Sequence, residues 1–280
     1  ARLLNRHDAH GGLGAEEGEN LIEVLNPLSK EQEVLRPTLL ASLSVCVAHN
    51  LNQKQEYVNI FEIAPVFLKQ GDILQEELFL GIALCGNKSM LLEQGLVKEQ
   101  AGFLHLKGML EVFLERMGAG RTDIHCRANA SGFDIVGHGQ KIGRMMKLGP
   151  AGLNRFDIKN KHVFLLEISL EKLLASCASG KKFIPLPRYP GMNRDISLMI
   201  KEDVSIKALL ETLQEQGERL LQDVQITDYY RGKQIPRGYL GLTISCFYRS
   251  DERTLTEPEI IPLHERLCRI LQERFSAKIR

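Results

Sequence analysis

DISLMIKEDVSIKALLETLQEQG, residues 195–217, contains the change of period that decides the fold. Ile196, Leu198 and Ile200 alternate with Ser197 and Met199, the two-residue repeat that buries one face of a β-strand. Past residue 204 the apolar spacing lengthens. Ile206, Leu209, Leu210 and Leu213 recur three and four apart, and Ser205 stands where it can cap a helix running through Gln216. Residues 223–231 and 239–249 then read as two strands joined by a Gly/Pro loop, GKQIPRG (232–238). Thr256 opens a second helix with Glu259 three residues on, a capping box, and Ile260, Leu263, Leu267, Ile270, Leu271 and Phe275 form its buried stripe. AKIR (277–280) closes as a short strand. The order β-α-β-β-α-β is that of a ferredoxin-like domain, a four-stranded sheet with both helices on one face. Its other face is left to a ligand.

Upstream of this run, KKFIPLPRYPG (181–191) holds three prolines in eleven residues. Proline fixes φ and restricts the residue before it, so this stretch is an extended linker. It divides the 280 residues into a first domain, 1–180, and a second, 181–280. The second carries 17 Lys+Arg against 14 Asp+Glu, a charge of +3, whereas the first carries 19 against 21, or −2. That excess permits a phosphate-binding partner without requiring one. Within the first domain, Leu39, Leu40, Leu43, Val47 and Leu51 predict a helix over 36–53 with Pro37 near its start. YVNIFEIAPVFL (57–68) predicts a strand pair bent at Pro65, and ELFLGIALCG (77–86) a buried strand. A helix over 103–117, short strands near 123–128 and 141–148, a strong strand at 162–169 and a short helix at 170–175 complete an α+β chain.

Composition narrows the function class. Hydrophobic residues make up 44% and charged residues 25%, an ordinary globular balance, and no apolar run approaches the roughly 20 residues of a membrane span. The expected location is the cytoplasm, with no membrane partner. Residues 1–20, with Gly11, Gly12, Gly14 and Gly18, read as a flexible lead-in, and the absence of an apolar signal region suggests a start inside a longer chain. The cysteines Cys46, Cys85, Cys126, Cys177, Cys246 and Cys268 stand singly, without a CxxC pair, and read as buried reduced thiols.

Against that layout, RYPGMNRDISLMI (188–200), DYYRG (228–232), GYLGL (238–242), RTLTEPEI (253–260) and RFSAKIR (274–280) closely resemble the C-terminal anticodon-binding domain of phenylalanyl-tRNA synthetase β subunits. NPLSKEQEVLRPTLLASLSVCVAHNLNQKQ (26–55) with IFEIAPVF (60–67) looks like the catalytic-like module of the same subunit, which has the class II synthetase fold, an antiparallel sheet with helices, but no catalysis of its own. The resemblance implies two partners: phenylalanine tRNA, and a catalytic α subunit in an α2β2 assembly. It implies ATP and Mg²⁺ for the whole enzyme and no cofactor in this chain. In the family, an Asp-x-Tyr on the second strand contributes a base-edge acceptor and a stacking ring, here Asp228 and Tyr230. A third-strand position that often carries serine is Gly241 here, which suggests that one hydrogen bond is missing or moved to Thr243. Lys278 and Arg280, pointing away from Ala277 and Ile279, read as phosphate-neutralising groups on the open face, with Arg188, Arg194 and Arg231 as secondary ones. Strict alternation from Val224 and Ile226 would turn Asp228 and Tyr230 inward. Either a β-bulge near Thr227 shifts the phase, or Tyr229 is the exposed ring.

The first domain lacks the cations an adenylate-forming site needs. Ile60 stands where Arg-x-Glu would place its arginine, and the Glu-Arg pairs 115–116, 218–219, 265–266 and 273–274 lie on or beside predicted helices. Glu62 therefore reads as a structural or subunit-contact residue. His7, Asp8 and His10 lack further spaced ligands for a metal; GHGQKIG (137–143) lacks a phosphate loop's ending and reads as a turn; His49, His105 and His264 read as ordinary packed or polar groups. Two rival readings stay open beside RNA recognition. One is an assembly scaffold with negligible RNA contact, and the other is a small-molecule regulatory domain on the same fold.

Overall fold

The computed structural model describes residues 3–4, 13, 21–29, 32–70, 73–92, 95–118, 124–159, 161–177, 185–231 and 235–280. Contacts divide the chain into two compact units, residues 1–182 and 183–280.

In the first unit the elements are β1 (Leu3–Leu4), β2 (Val34–Leu35), α1 (Leu40–Asn52), β3 (Tyr57–Gln70), β4 (Ile73–Leu92), β5 (Gly95–Gln100), α2 (Phe103–Met117), β6 (Ile124–Asn129), β7 (Gly132–Gly137), β8 (Gln140–Lys147), α3 (Pro150–Arg155), β9 (Val163–Ser169) and α4 (Leu170–Ser176). A seven-stranded sheet runs β3-β4-β9-β8-β7-β6, with β5 alongside β4 and every pairing antiparallel. Alternate residues of the central strands feed two cores. On one face Leu39, Leu40, Leu43 and Val47 of the α1 segment pack on Val58, Ala83, Cys85 and Leu165; on the other, Leu106 and Leu110 of α2 pack on Leu80, Ile82, Leu84 and Leu166. The α1 contact is close enough that a Cβ on Gly81 would lie 2.7 Å from Leu43 Cδ1.

Three readings change. Residues 57–70 form one continuous strand, where a pair bent at Pro65 was expected. Because β3 is an outer strand, paired among the described residues with β4 alone, the N–H that proline lacks breaks no second ladder. The expected flexible lead-in is tied down where it is described: β1 pairs with β2, and Leu4 and Leu13 are buried. The rest of 1–20, including His7, Asp8 and His10, lies outside the described residues. None of the six cysteines is in a disulfide, yet only Cys85 and Cys246 are fully buried.

The second unit comprises β10 (Met192–Lys201), α5 (Ile206–Gln216), β11 (Leu221–Tyr230), β12 (Tyr239–Tyr248), α6 (Glu257–Phe275) and β13 (Lys278–Ile279). Its antiparallel sheet runs β11-β12-β10-β13, the ferredoxin-like order. The expected caps form: Ser205 Oγ accepts from Ala208 N at 3.3 Å, and Glu259 Oε2 accepts from Thr256 N at 2.8 Å, a pairing that lowers the Glu259 pKa. Leu209, Leu213, Ile260, Leu263, Leu267 and Leu271 close over Ile196, Leu198, Ile200, Leu240, Leu242, Ile244, Cys246 and Tyr248. Both helices thus lie on one side of the sheet. The linker's residues 181–184 and loop residues 232–234 lie outside the described residues.

Candidate nucleic-acid interface

Cross-strand register assigns the residues of the uncovered sheet face. Since Ile196, Leu198 and Ile200 face the helices, Asn193, Asp195, Ser197, Met199 and Lys201 face away, and their β12 partners Phe247, Ser245, Thr243, Gly241 and Tyr239 share that side. On β11 the ladder slips between Ile226 and Asp228. Gln225 pairs with Ser245 and Ile226 with Ile244, but Asp228 then pairs with Thr243, Tyr229 with Leu242 and Tyr230 with Gly241. The extra residue is Thr227, whose Oγ1 donates to Thr243 O at 3.3 Å. That bulge turns Asp228 and Tyr230 onto the uncovered face and sends Tyr229, 48% exposed, to the opposite one.

Tyr230 lies across the sheet. A Cβ on Gly241 would sit 2.3 Å from Tyr230 Cζ and 2.6 Å from Cε2, so the distal end of the ring occupies the space a side chain at 241 would fill. Gly241, expected to leave one hydrogen bond missing or moved to Thr243, also gives the ring its clearance. From the far edge Arg280 Nη1 donates to Tyr230 Oη at 2.9 Å, with its guanidinium carbon 5.8 Å from the ring centroid. Beneath them Ser197 Oγ and Thr243 Oγ1 lie 3.3 Å apart. Asp228 is exposed beside Thr243, and Lys278, across from Met199, is exposed on the same side. The arrangement offers an aromatic ring fixed at both ends, a carboxylate acceptor, two hydroxyls and two cations. Unpaired nucleotides are held by such a set, through stacking, base-edge hydrogen bonds and phosphate neutralisation.

Asp228, Tyr230, Gly241, Lys278 and Arg280 are therefore brought together. Arg194, Arg231 and Arg188 are not. Arg194 follows the helix-facing phase of β10 and is held by Glu257 at the start of α6. Arg231 pairs with Glu202 at 3.4 Å and lies 5.8 Å from the Tyr229 ring, away from Tyr230. Arg188 is exposed ahead of β10. Sequence reasoning passed over Tyr239, although it shares the phase of Gly241 and Thr243; alternation along GYLGLT was signal enough. Lys278 Nζ lies 5.6 Å from its ring centroid.

On the helix side, Tyr248 Oη and His264 Nδ1 are 3.0 Å apart. Burial first, then the charge of Arg194, pushes the His264 pKa down, and burial pushes the Cys246 thiol up to about 12.

In the first unit two enclosed arginines are neutralised. Arg36, 3% exposed, meets Glu62 at 2.6 Å, and its Nε donates to Pro65 O at 2.9 Å, which gives Glu62 a structural part. Arg144 meets Glu167 at 2.6 Å, and Glu167 also accepts from Thr38 Oγ1 at 2.5 Å and from Leu39 N at 3.3 Å, capping the start of α1. His105 pairs with Glu99 at 3.2 Å, and the GHGQKIG stretch makes its turn at His138–Gly139, both with positive φ, between β7 and β8. Among the described residues no three His, Cys, Asp or Glu groups gather as a metal site.

Comparisons with known proteins align with both units. The family described as phenylalanyl tRNA synthetase beta chain CLM domain matches residues 4–170, and the ferredoxin-fold anticodon binding domain matches residues 187–280. The phenylalanine–tRNA ligase beta subunit of Geobacillus kaustophilus is 33% identical over 270 residues, 92% of this chain and 33% of that protein. The same subunit of Syntrophotalea carbinolica is 31% identical over 272 residues, again 92% and 33%. A pyrrolysyl tRNA synthetase structure from Desulfitobacterium hafniense covers 62% of this chain and 59% of its own at a TM-score of 0.46 and 20% identity, too slight a likeness to bear on the site. The chain spans about a third of the length of the curated relatives it matches.

Proposed function

The chain belongs to the phenylalanyl-tRNA synthetase β-chain family, and from that premise we propose that its second unit binds the anticodon loop of phenylalanine tRNA through the uncovered sheet face. Asp228, Tyr230, Lys278 and Arg280 make the contacts and Gly241 makes room for the ring. The observation that carries this reading is Tyr230 itself, laid over Gly241 and held by Arg280 on a face without a helix. A ring fixed in place loses little conformational entropy when a base stacks on it.

The first unit serves, in this reading, as a non-catalytic support for the catalytic α subunit of a cytoplasmic α2β2 phenylalanine–tRNA ligase, whose ATP and Mg²⁺ are handled outside this chain. Two features support it. Phosphate binding needs cations with charge to spare, whereas Arg36 and Arg144 are each spent on a carboxylate. Outer strand β3 also presents Phe61, 72% exposed, and Ile63, 52% exposed, with Leu78 of β4 beside them, an apolar surface suited to a protein partner.

The test is a titration of the chain with an RNA hairpin carrying the anticodon stem and loop of phenylalanine tRNA. Tyr230→Ala should weaken binding by about 1–3 kcal/mol, the usual worth of one stacked base, while Tyr229→Ala should leave it unchanged. Wild-type affinity in Tyr230→Ala would sink the proposal.

A further inference from the structure

The uncovered face carries a second aromatic ring that the contacts assigned above leave unused. Tyr239 lies two residues from Gly241, the cross-strand partner of Tyr230, so the two tyrosines are rooted at diagonal positions about 7–8 Å apart. One phosphodiester link spans such a distance when neighbouring bases are unstacked. Cations flank the outer ring. Lys201 stands directly opposite Tyr239 on β10 and is exposed, and Lys278 reaches in from β13, its Nζ 5.6 Å from the ring centroid. The acidic neighbours do not cancel them: Glu202 is engaged by Arg231, and Asp228 lies one step further in, opposite Thr243.

We propose that Tyr239, Lys201 and Lys278 form a second nucleotide subsite, taking the RNA nucleotide adjacent in sequence to the one that stacks on Tyr230. The proposal rests on the anticodon-loop reading above. The adjacent base stacks on Tyr239, and the two ammonium groups hold the phosphate that links the pair. Lys278 now lies near the ring; an exposed cation–π contact is weaker than a stacked base, so the ammonium yields the ring and keeps the phosphate. The face then reads two successive bases with two rings, and its sequence tolerance at the outer position follows from stacking, because every base has a π-face.

The experiment titrates the full chain with the anticodon hairpin and with hairpins in which single loop nucleotides are abasic. Tyr239→Ala should bind the intact hairpin about five- to tenfold more weakly, and Tyr239→Phe, which keeps the ring, within about twofold of wild type. Against the hairpin abasic at the adjacent position, Tyr239→Ala and wild type should bind alike. Lys201→Gln should reduce the slope of log affinity against log salt by about 0.7, the contribution of one single-strand phosphate. If Tyr230→Ala weakens binding while Tyr239→Ala does not, the second subsite is overturned and the first reading stands. If Tyr230→Ala has no effect, the first reading itself fails. A Tyr239→Ala penalty that persists undiminished on every abasic hairpin assigns the ring a purely structural part and also overturns the subsite.

Discussion

Gly241→Ala probes the site's geometry directly. The new methyl group would lie 2.3 Å from Tyr230 Cζ. Carbon atoms in contact keep about 3.5 Å, so the ring must swing outward by about 1.2 Å. Leaving its rotamer well costs about 0.5–1.5 kcal/mol, and weakening an exposed hydrogen bond such as that from Arg280 costs about 0.5–1 kcal/mol more. Opposing this, Ala is about 0.5–1 kcal/mol better than Gly in the middle of a strand. Gly241→Ala alone should therefore destabilise the second unit by about 1 kcal/mol. On a Tyr230→Ala background no ring remains to collide with, and the same change should stabilise by about 0.5–1 kcal/mol. The double-mutant cycle thus predicts a coupling of about 1–2.5 kcal/mol between two residues on different strands. Native-state amide exchange of the β12 amides in the intact chain reads the stability of this unit separately. Coupling below about 0.5 kcal/mol, within the range of plain additivity, would mean that Tyr230 does not lie over Gly241, and the stacking platform would go with it.

In the first unit, Glu167→Ala should cost about 3 kcal/mol in urea unfolding, because it leaves Arg144 enclosed without a partner and removes the cap on α1. The double variant Glu167→Leu/Arg144→Met should recover much of that loss, and a double variant as damaged as the sum of the singles would refute the charge argument. In the second unit, His264 has a folded pKa below the ordinary 6.5, through burial and the nearby Arg194 charge. The unfolded chain then binds the proton more readily, so His264 contributes stability that is full above about pH 6.5 and lost as pH falls from there through the folded value. His264→Gln should flatten that part of the β12 exchange profile; an unchanged profile would exclude His264 as its source.

The second unit was legible because its signals are local. The shift from alternating to helical spacing around residue 204, the serine cap at 205 and the capping box at 256–259 each sit within a few residues of the element they define. The first unit hid β7, because the strand begins and ends with glycines that weigh as turn residues. Gly132 is there for a close approach: a Cβ would lie 2.2 Å from Met145 O. Site residues divided on the same line. Arg194 and Arg231 were visible as charges, but the carboxylates that occupy them, Glu257 and Glu202, are 63 and 29 positions away in the chain. Gly241 was visible as a departure from a serine, yet its purpose depends on a ring reached only through the register of β11 against β12.

That register explains how one edge strand serves a core on one side and the proposed RNA-facing surface on the other. Val224 contributes to the buried cluster, so a strand of constant phase would send Asp228 and Tyr230 toward the helices, where a carboxylate without a partner is costly. Without the slip Tyr229 would fall opposite Gly241 on the open face and Asp228 opposite Leu242 on the helix side, so that face would keep a ring and lose its carboxylate. Inserting Thr227 resolves the conflict for one unpaired residue, and Thr227 repays part of that cost by donating to Thr243 O. Because the bulge, the glycine and Arg280 each act on the same ring, none of the three alone marks a binding face. A bulge can merely end a strand, a glycine can merely loosen one, and a terminal-strand arginine is ordinarily solvated. Their convergence on Tyr230 is what supports the proposed recognition of an unpaired base by this unit.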